Sequence, residues 1–511
     1  MSTAIRIAEL EQQNAQLSEQ LESLKRQLDW FKRQLFGAKS EKQRFIDPAV
    51  QGNLLATLEV ATPSPPPSTP TTTVTTTRQK RRDHAVTDCG LRFDATVPVN
   101  TIVIGDPVIE ALPESARECI GEKVTYRLAQ RPASYEIMKY VRRVYKILAT
   151  EAIVTTVSPP TVLDQCVADV SLLAGILTDK FLYHLPLYRQ HQRITAAGIQ
   201  VSRGSLTNWS SRAIDLLEPI YAAQCAHVLR SRVLAMDETP IKAGHREQGR
   251  LRQGYFWPIY GEDHEVVFPF ATSRAHSTVQ TFLGSFTGTL LSDGYEAYAA
   301  YARNHTGVTH AECWAHCRRH FEGAKEAEPA AVTEALALIA MLYRHEEHIR
   351  DHHLEGAQKL AYRTEHSEPV MQAFWRWCDD QCHRPDLVPG NPLAKALKYA
   401  RERRVRLQVF LSDPEVPVDT NHLERALRAI PMGRRNWLFC GTELGAKQVG
   451  IIQSLIATCK LQGVDVTTYL VDVLQRVSRH PAKDVIDLTP RVWKTKFAHN
   501  PMKSDIALAD Q

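Results

Sequence analysis

The chain has 511 residues, 43% of them hydrophobic and 23% charged, ordinary proportions for a globular protein with several cores. No apolar run approaches the ~18–20 residues that span a bilayer, and the N-terminus, charged from Arg6, has no apolar stretch ahead of a small-residue cleavage site, so neither membrane insertion nor secretion is expected. Ten cysteines spread over this length make no disulfide framework and point to a reducing cytosol, while a net charge of +5 is too mild to prove a nucleic-acid partner by itself.

The first element is a heptad. Ile7, Asn14, Leu21 and Leu28 recur every seven residues, and Leu10, Leu17 and Leu24 fill the second seam position, the pattern of a coiled coil over 1–45. Asn14 in the seam would fix register. Self-association into a homo-oligomer is the expectation; the alternative is an amphipathic helix docked on its own chain. Residues 46–86 read as a Pro/Thr-rich linker that runs into the basic cluster Arg78, Lys80, Arg81 and Arg82. Residues 87–157 read as a β-rich module with strands at 101–104 and 140–148, closed by Ser158-Pro159-Pro160.

Helical patterns follow over 158–225, at 167–184, 185–197 and 205–217, with Gly198 as the break. Two helices around a short turn fit a helix-turn-helix-like DNA-binding region, in which Arg203, Thr207, Asn208 and Arg212 are candidate base contacts. An ordinary helical domain is the alternative.

From residue 226 the period changes. Strands at 233–236, 255–260 and 266–271, a helix at 276–286, strands at 290–292 and 308–313 and a helix at 314–325 predict a mixed α/β sheet of the ribonuclease-H-like kind. This catalytic region extends over 226–455, interrupted by a large helical insertion at about 326–411, and 456–511 reads as a C-terminal helical region. Asp237 and Asp293 each stand at a strand end. In such a sheet the first and fourth strands are neighbours, so both carboxylates could meet at one edge and offer hard oxygen ligands to magnesium. Two such ions clamp the attacking and leaving oxygens of a phosphoryl displacement. Glu424, on a helix read at 418–428, is the third candidate; an i,i+4 ion pair with Arg428 is its alternative reading. Residues 401–435 hold eight arginines and no lysine, which suits phosphate contact by planar forks, and Arg425, Arg428, Arg434 and Arg435 are the candidate backbone contacts.

Seven segments carry a family likeness: QLFGAKSEK (34–42), LAMDETPIK (234–242), LLSDGYEAY (290–298), CWAHCRRHF (313–321), DTNHLERALR (419–428), GRRNWLFCG (433–441) and GVDVTTYLVDVLQRVSRHP (463–481). In this order they resemble the transposases of the insertion-sequence-66 family over most of the chain. The resemblance implies a DDE-type domain with Asp237, Asp293 and Glu424 as its acidic triad, using two magnesium ions with manganese as a substitute. It implies binding of terminal inverted repeats, strand cleavage and strand transfer into target DNA, small accessory proteins as further partners, and a bacterial cytoplasm, at the nucleoid, as location. The chain departs from the family in one place. Members usually carry a cysteine-rich, zinc-finger-like module, whereas this one has only Cys89 and Cys119 with His84 nearby, so zinc is not expected. Cys313, His316, Cys317 and His320 share one helix face, and the first two resemble a Cys-x-x-His motif that follows the second Asp in several DDE transposases; they are candidates for active-site support. The competing readings are a nuclease of the same fold that cuts without joining, and a catalytically idle DNA-binding or assembly factor.

Overall fold

Four strands form a sheet between residues 99 and 155. Its strands are β1 (Val99–Ile104), β2 (Arg117–Arg131), β3 (Ser134–Ile147) and β4 (Ile153–Thr155). β3 is central, pairing parallel with β1 and antiparallel with β2, and its Val144–Lys146 end pairs with β4. The computed structural model describes residues 85–86, 91–131, 134–247, 250–384, 387, 390–437 and 440–508. The heptad of 1–45, the 61–77 stretch, His84 and Cys89 lie outside the described residues. β2 is an addition to the sequence reading: its first half, Arg-Glu-Cys-Ile-Gly-Glu-Lys, is solvent-facing and shows no apolar alternation.

Three helices follow: α1 (Val170–Phe181), α2 (Leu187–Ala196) and α3 (Arg203–Val228). Asp169 caps α1 by accepting from the Ser171 N–H, and Ser202 caps α3 by accepting from the Ser205 N–H. The sequence pattern predicts an end at residue 217, yet α3 passes through Pro219. A proline there deletes one backbone hydrogen bond, but the turns beyond it bury Ile220 and Val228, and Gln224 Nε2 donates to the Val266 carbonyl and to Thr458 Oγ1, so packing and hydrogen bonds carry the helix on.

The second sheet is built on β5 (Val233–Met236), in which all four residues are buried, as expected of a central strand covered on both faces. The next strands are β6 (Thr239–Glu247), β7 (Arg250–Phe256), β8 (Ile259–Tyr260), β9 (Val266–Val267) and β10 (Phe270–Ala271). After α4 (His276–Leu283) come β11 (Gly288–Ser292), α5 (Glu296–Asn304), β12 (Val308–Glu312) and α6 (Trp314–Glu322). The sheet order is β9-β8-β5-β11-β12, antiparallel from β9 to β5 and parallel from β5 to β12. β6, β7 and β10 form a separate antiparallel sheet. The stretches 255–260 and 266–271, read as single strands, are each divided between the two sheets at Pro258 and Pro269, which have no N–H for a ladder.

The run after α6 is helical: α7 (Pro329–Asp351), α8 (Glu368–Cys382) and α9 (Pro392–Glu402) are its longest members. Then come α10 (Asn421–Leu427), α11 (Ala429–Trp437), α12 (Glu443–Gln462), α13 (Val466–Arg476) and α14 (Pro490–Lys496). α12 is buried without a break from Gln448 to Cys459. It covers the sheet edge at β9, where Thr458 Oγ1 accepts from the Val266 N–H at 3.2 Å and Ser454 Oγ from the Phe268 N–H at 2.9 Å. Gly450 allows this approach, since a Cβ there would stand 2.3 Å from the Phe268 carbonyl oxygen. The same helix binds the α1–α3 group: Gln448 Nε2 donates to Asp215 Oδ1 at 2.7 Å and Gln453 Nε2 to the Phe181 carbonyl at 3.0 Å. Residues 170–228 therefore share one core with the C-terminal helices, and α12 runs unbroken across 455–456. Among the described residues no helix is long and apolar enough to cross a membrane.

Candidate active site

β5 and β11 run parallel with Leu291 opposite Ala235, so Asp237 and Asp293, each two residues further on, emerge at the same sheet edge. Asp237 is held by its own turn. Its Oδ1 accepts from the Glu238 N–H at 2.7 Å, and its N–H donates to the Pro258 carbonyl at 3.3 Å. Asp293 Oδ1 accepts from the Tyr295 N–H at 2.9 Å. Between them Gly294 makes room: a Cβ would lie 2.7 Å from both Arg403 Nε and Tyr399 Oη, and Arg403 Nη2 donates to the Gly294 carbonyl at 3.2 Å.

Glu424 arrives on α10. That helix starts at Asn421 rather than at 418, because the preceding residues are engaged in capping and docking. Asp419 Oδ1 accepts from the Asn421 N–H at 2.9 Å. Cys313 Sγ accepts from both the N–H and the Oγ1 of Thr420, each at 3.2 Å. The Cys313 N–H in turn donates to the Ser292 carbonyl at 3.0 Å, and the Trp314 N–H to the Val418 carbonyl at 3.0 Å. Glu424 Oε1 then lies 3.8 Å from His316 Nε2 and accepts from Arg319 Nη2 at 3.3 Å.

Oxygens of Asp237, Glu238 and Asp293 fall within 4.8 Å of one another, and so do an oxygen of Asp237, an oxygen of Glu424 and a ring nitrogen of His316. Asp237 belongs to both groups. The three acids singled out in the sequence thus converge, and His316 joins them. Glu238 is the residue that sequence reasoning missed. Alternation along a strand would turn it away from Asp237, but β5 has ended, and the turn brings both carboxylates to one side. Tyr298 Oη donates to Glu238 Oε2 at 2.6 Å, and Arg274 pairs with Glu238 Oε1.

Burial pushes the Asp237 carboxyl up to about 7, opposed by the Glu238 N–H and reinforced by the charges of Glu238, Asp293 and Glu424. Burial also raises Glu238 and lowers His316, which favours a neutral imidazole. Hard carboxylate oxygens beside a neutral imidazole, with one carboxyl raised by burial among like charges, are a donor set suited to a divalent cation such as magnesium or manganese.

The other singled-out residues are distributed as follows. Arg425, Arg428 and Arg435 are exposed, while Arg434 is half-buried and donates to the Pro240 carbonyl at 2.6 Å. The arginines of 401–406 are differently employed: Arg403 and Arg406 close on Glu312 at 3.0 and 3.1 Å, and Arg404 lies over the Trp375 ring. On α3, Arg203 is exposed and packs over Tyr188, Thr207 Oγ1 donates to the Arg203 carbonyl at 3.1 Å, Asn208 is half-buried, and Arg212 Nη2 donates to the Asp164 carbonyl at 3.0 Å. Cys317 is fully buried and His320 stacks on Tyr399 at 3.9 Å, so of that helix face His316 meets the acids and Cys313 binds Thr420 beside them.

Three family models match the chain. Residues 165–448, more than half of it, match one described as Transposase IS66 family; 454–491 match the IS66 C-terminal element; and 23–101 match one described as Transposase C of IS166 homeodomain. The helices at 170–228 thus fall inside the first model, and the homeodomain description applies further upstream. Two uncharacterized proteins of Sinorhizobium fredii, y4hP and y4jD, are 30% and 31% identical to it, covering 75% and 70% of this chain and 73% and 72% of their own lengths. A third from the same organism, y4qI, is 28% identical over 76% of this chain and 75% of its own.

Proposed function

The chain belongs to the IS66 family of transposases, and from that premise we propose that it serves an insertion sequence by binding the element's terminal inverted repeats, cutting a phosphodiester at each end and joining the freed strand to target DNA. Asp237, Asp293 and Glu424 are the catalytic acids in this reading. The observation that carries it is their convergence from two adjacent strand ends and a distant helix. The sheet order β9-β8-β5-β11-β12, half antiparallel and half parallel, supports a ribonuclease-H-like DDE domain, with the long helical stretch between β12 and α10 as its insertion.

Two divalent cations, magnesium or manganese, supply when bound the positive charge that activates the attacking oxygen and steadies the leaving one. The chain's own residues prepare for that charge. Asp237, common to both groupings, gives up its proton; Asp293 is aimed by the Tyr295 N–H; and Glu424 is oriented by His316 and by the Cys313–Thr420 contact. Arg425, Arg428, Arg434 and Arg435, directly after Glu424, contact the DNA backbone. Reading of the terminal repeats falls to residues 23–101, in keeping with the description of the model they match, together with the start of α3, at the exposed Arg203 and the half-buried Thr207, Asn208 and Arg212. The 1–45 heptad, through Ile7, Leu10, Asn14, Leu17, Leu21, Leu24 and Leu28, pairs protomers so that two ends are handled together in the bacterial cytoplasm, and small proteins of the same element assist.

The test uses the purified full chain, DNA carrying the element's ends, a target plasmid and magnesium. Wild type is expected to cut and join, and Asp237→Ala, Asp293→Ala and Glu424→Ala to lose both activities while still binding the ends. Near-normal joining by Glu424→Ala would remove the third acid from the set. Cleavage without joining by wild type would make the protein a nuclease, and binding alone an assembly factor.

A further inference from the structure

Two guanidinium groups outside the arginine-rich 401–435 stretch reach the acid cluster. Arg319, on α6, donates to Glu424 Oε1 at 3.3 Å and keeps 61% of its side chain exposed. Arg274, just before α4, pairs with Glu238 and keeps 44% exposed. Each therefore satisfies an acid with one edge of its planar fork and presents the rest to solvent. Arg274 is also held in place. Its guanidinium lies 4.0 Å over the Tyr295 ring, Tyr295 Oη donates back to the Arg274 carbonyl, and the Tyr295 N–H fixes Asp293. The cation and the second acid are thus fastened to the same tyrosine. Arg403 and Arg406 differ in kind, because their partner Glu312 is 1% exposed and they have no comparable freedom.

We propose that Arg274 and Arg319 are the phosphate grip of the active site, occupied by Glu238 and Glu424 in the cation-free protein and handed over to the DNA backbone when divalent cations take up those carboxylates. This role rests on the transposase function proposed above and follows from elementary electrostatics. Four carboxylates in one cluster repel a polyanion, and the two arginines are counter-charges paired directly with it. A cation bound by Glu424 or Glu238 neutralises the carboxylate and repels the adjacent guanidinium, so the ion pair weakens at the moment the site becomes competent. A guanidinium fork fits a phosphate as well as it fits a carboxylate, so the exchange needs no new geometry. Both arginines are then positioning residues for the scissile strand.

The experiment measures binding by the full-length protein of a fluorescein-labelled duplex carrying the terminal repeat, over a series of salt concentrations, once in EDTA and once with calcium as the cation probe. Arg274→Gln and Arg319→Gln are expected to match wild type in EDTA. With calcium each should bind about tenfold more weakly, the loss of one charge-assisted contact, and the log–log salt slope should fall by about one. Arg274→Lys and Arg319→Lys should keep the slope while losing part of the affinity, again only with calcium. Should a Gln variant fail to fold, its Lys counterpart carries the comparison. Variants that equal wild type with calcium, or that lose the same factor with and without it, overturn the proposal and leave the transposase reading standing. A wild-type protein that binds no duplex in either condition overturns both.

Discussion

Cys313 Sγ accepts two hydrogen bonds from Thr420, from the N–H and from Oγ1, at 3.2 Å each, across 107 positions of sequence. Since the Cys313 N–H donates to Ser292, one buried residue joins the strand end that precedes Asp293 to the residue that leads into the helix of Glu424. The thiol is therefore a joint between two acids. Burial raises its pKa to about 11, which keeps it protonated and unreactive.

Replacing Cys313 with Ala is expected to strand two buried donors of Thr420 and to lower stability by about 1–3 kcal/mol. Manganese affinity should fall with it, because the Glu424 helix loses its tie to the Asp293 strand. Cys313→Ser, which keeps an acceptor at a shorter reach, should recover part of both. Calorimetric titration of manganese beside thermal melting checks this, and unchanged manganese affinity in Cys313→Ala would show that the joint does not position Glu424.

Asp237 gives the site a pH signature. Its carboxyl is raised by folding from 3.8 to about 7, so its favourable contribution is whole below the unfolded value and is lost as pH rises through the folded one. Asp237→Asn, uncharged throughout, is expected to melt above wild type at about pH 8 in EDTA, and the gap should narrow as pH falls and close only near about pH 4. Manganese acts in the opposite sense. It takes the ionised carboxylates, so it should raise the melting temperature of wild type more at the higher pH and have much less effect on Asp237→Asn.

The two groups of arginines should separate in a salt titration of DNA binding. Arg425→Ala and Arg428→Ala are expected to lower the log–log slope by about one each, as phosphate contacts do. Arg403→Ala and Arg406→Ala should leave the slope in place and lower the melting temperature instead, because each abandons the buried Glu312. A reduced slope in the second pair would put those side chains on the DNA.

Arg363 is fully buried at the head of a π-helical turn, Arg363–Ser367. Its Nε and Nη2 donate to the two oxygens of Glu346 at 2.8 Å each, and its Nη1 to the carbonyls of Phe410 and Asp413. Arg363→Met leaves Glu346 unpaired and is expected to lose ~3–5 kcal/mol in urea unfolding, whereas Arg363→Met with Glu346→Leu should lose much less, since removing both charges spares the desolvation of one.

What could be read in the sequence and what could not follow a physical line. β5 is legible because four buried apolar residues run straight into Asp237, and a strand that ends on a carboxylate states its own chemistry. The hairpin of β6 and β7 is not, because Thr239–Glu247 and Arg250–Phe256 mix polar and apolar residues without regular alternation and are paired largely with each other. Pro258 and Pro269 could be seen, but that each passes the chain from one sheet to another depends on tertiary pairing. Glu238 was hidden by the alternation rule, which stops applying where the strand stops. Cys313 was noticed for its spacing to His316, whereas its partner Thr420 lies beyond any local periodicity. The arginine count over 401–435 does not separate its members, since composition does not record that Glu312 engages Arg403 and Arg406.

The helical stretch between β12 and α10 does more than lengthen the chain. Arg403 donates from it to the Gly294 carbonyl at 3.2 Å, and the Leu407 carbonyl accepts from Trp314 Nε1 at 2.8 Å. The loop of the second acid and the start of α6 are therefore braced by residues encoded more than ninety positions downstream. A gene shortened by excising this stretch would encode all three acids and still lack the brace for one of them. Deletion boundaries that look harmless on a linear map would cut through the support of the reactive edge, and a minimal version of this enzyme has to keep, or replace, the pair of contacts at Gly294 and Trp314.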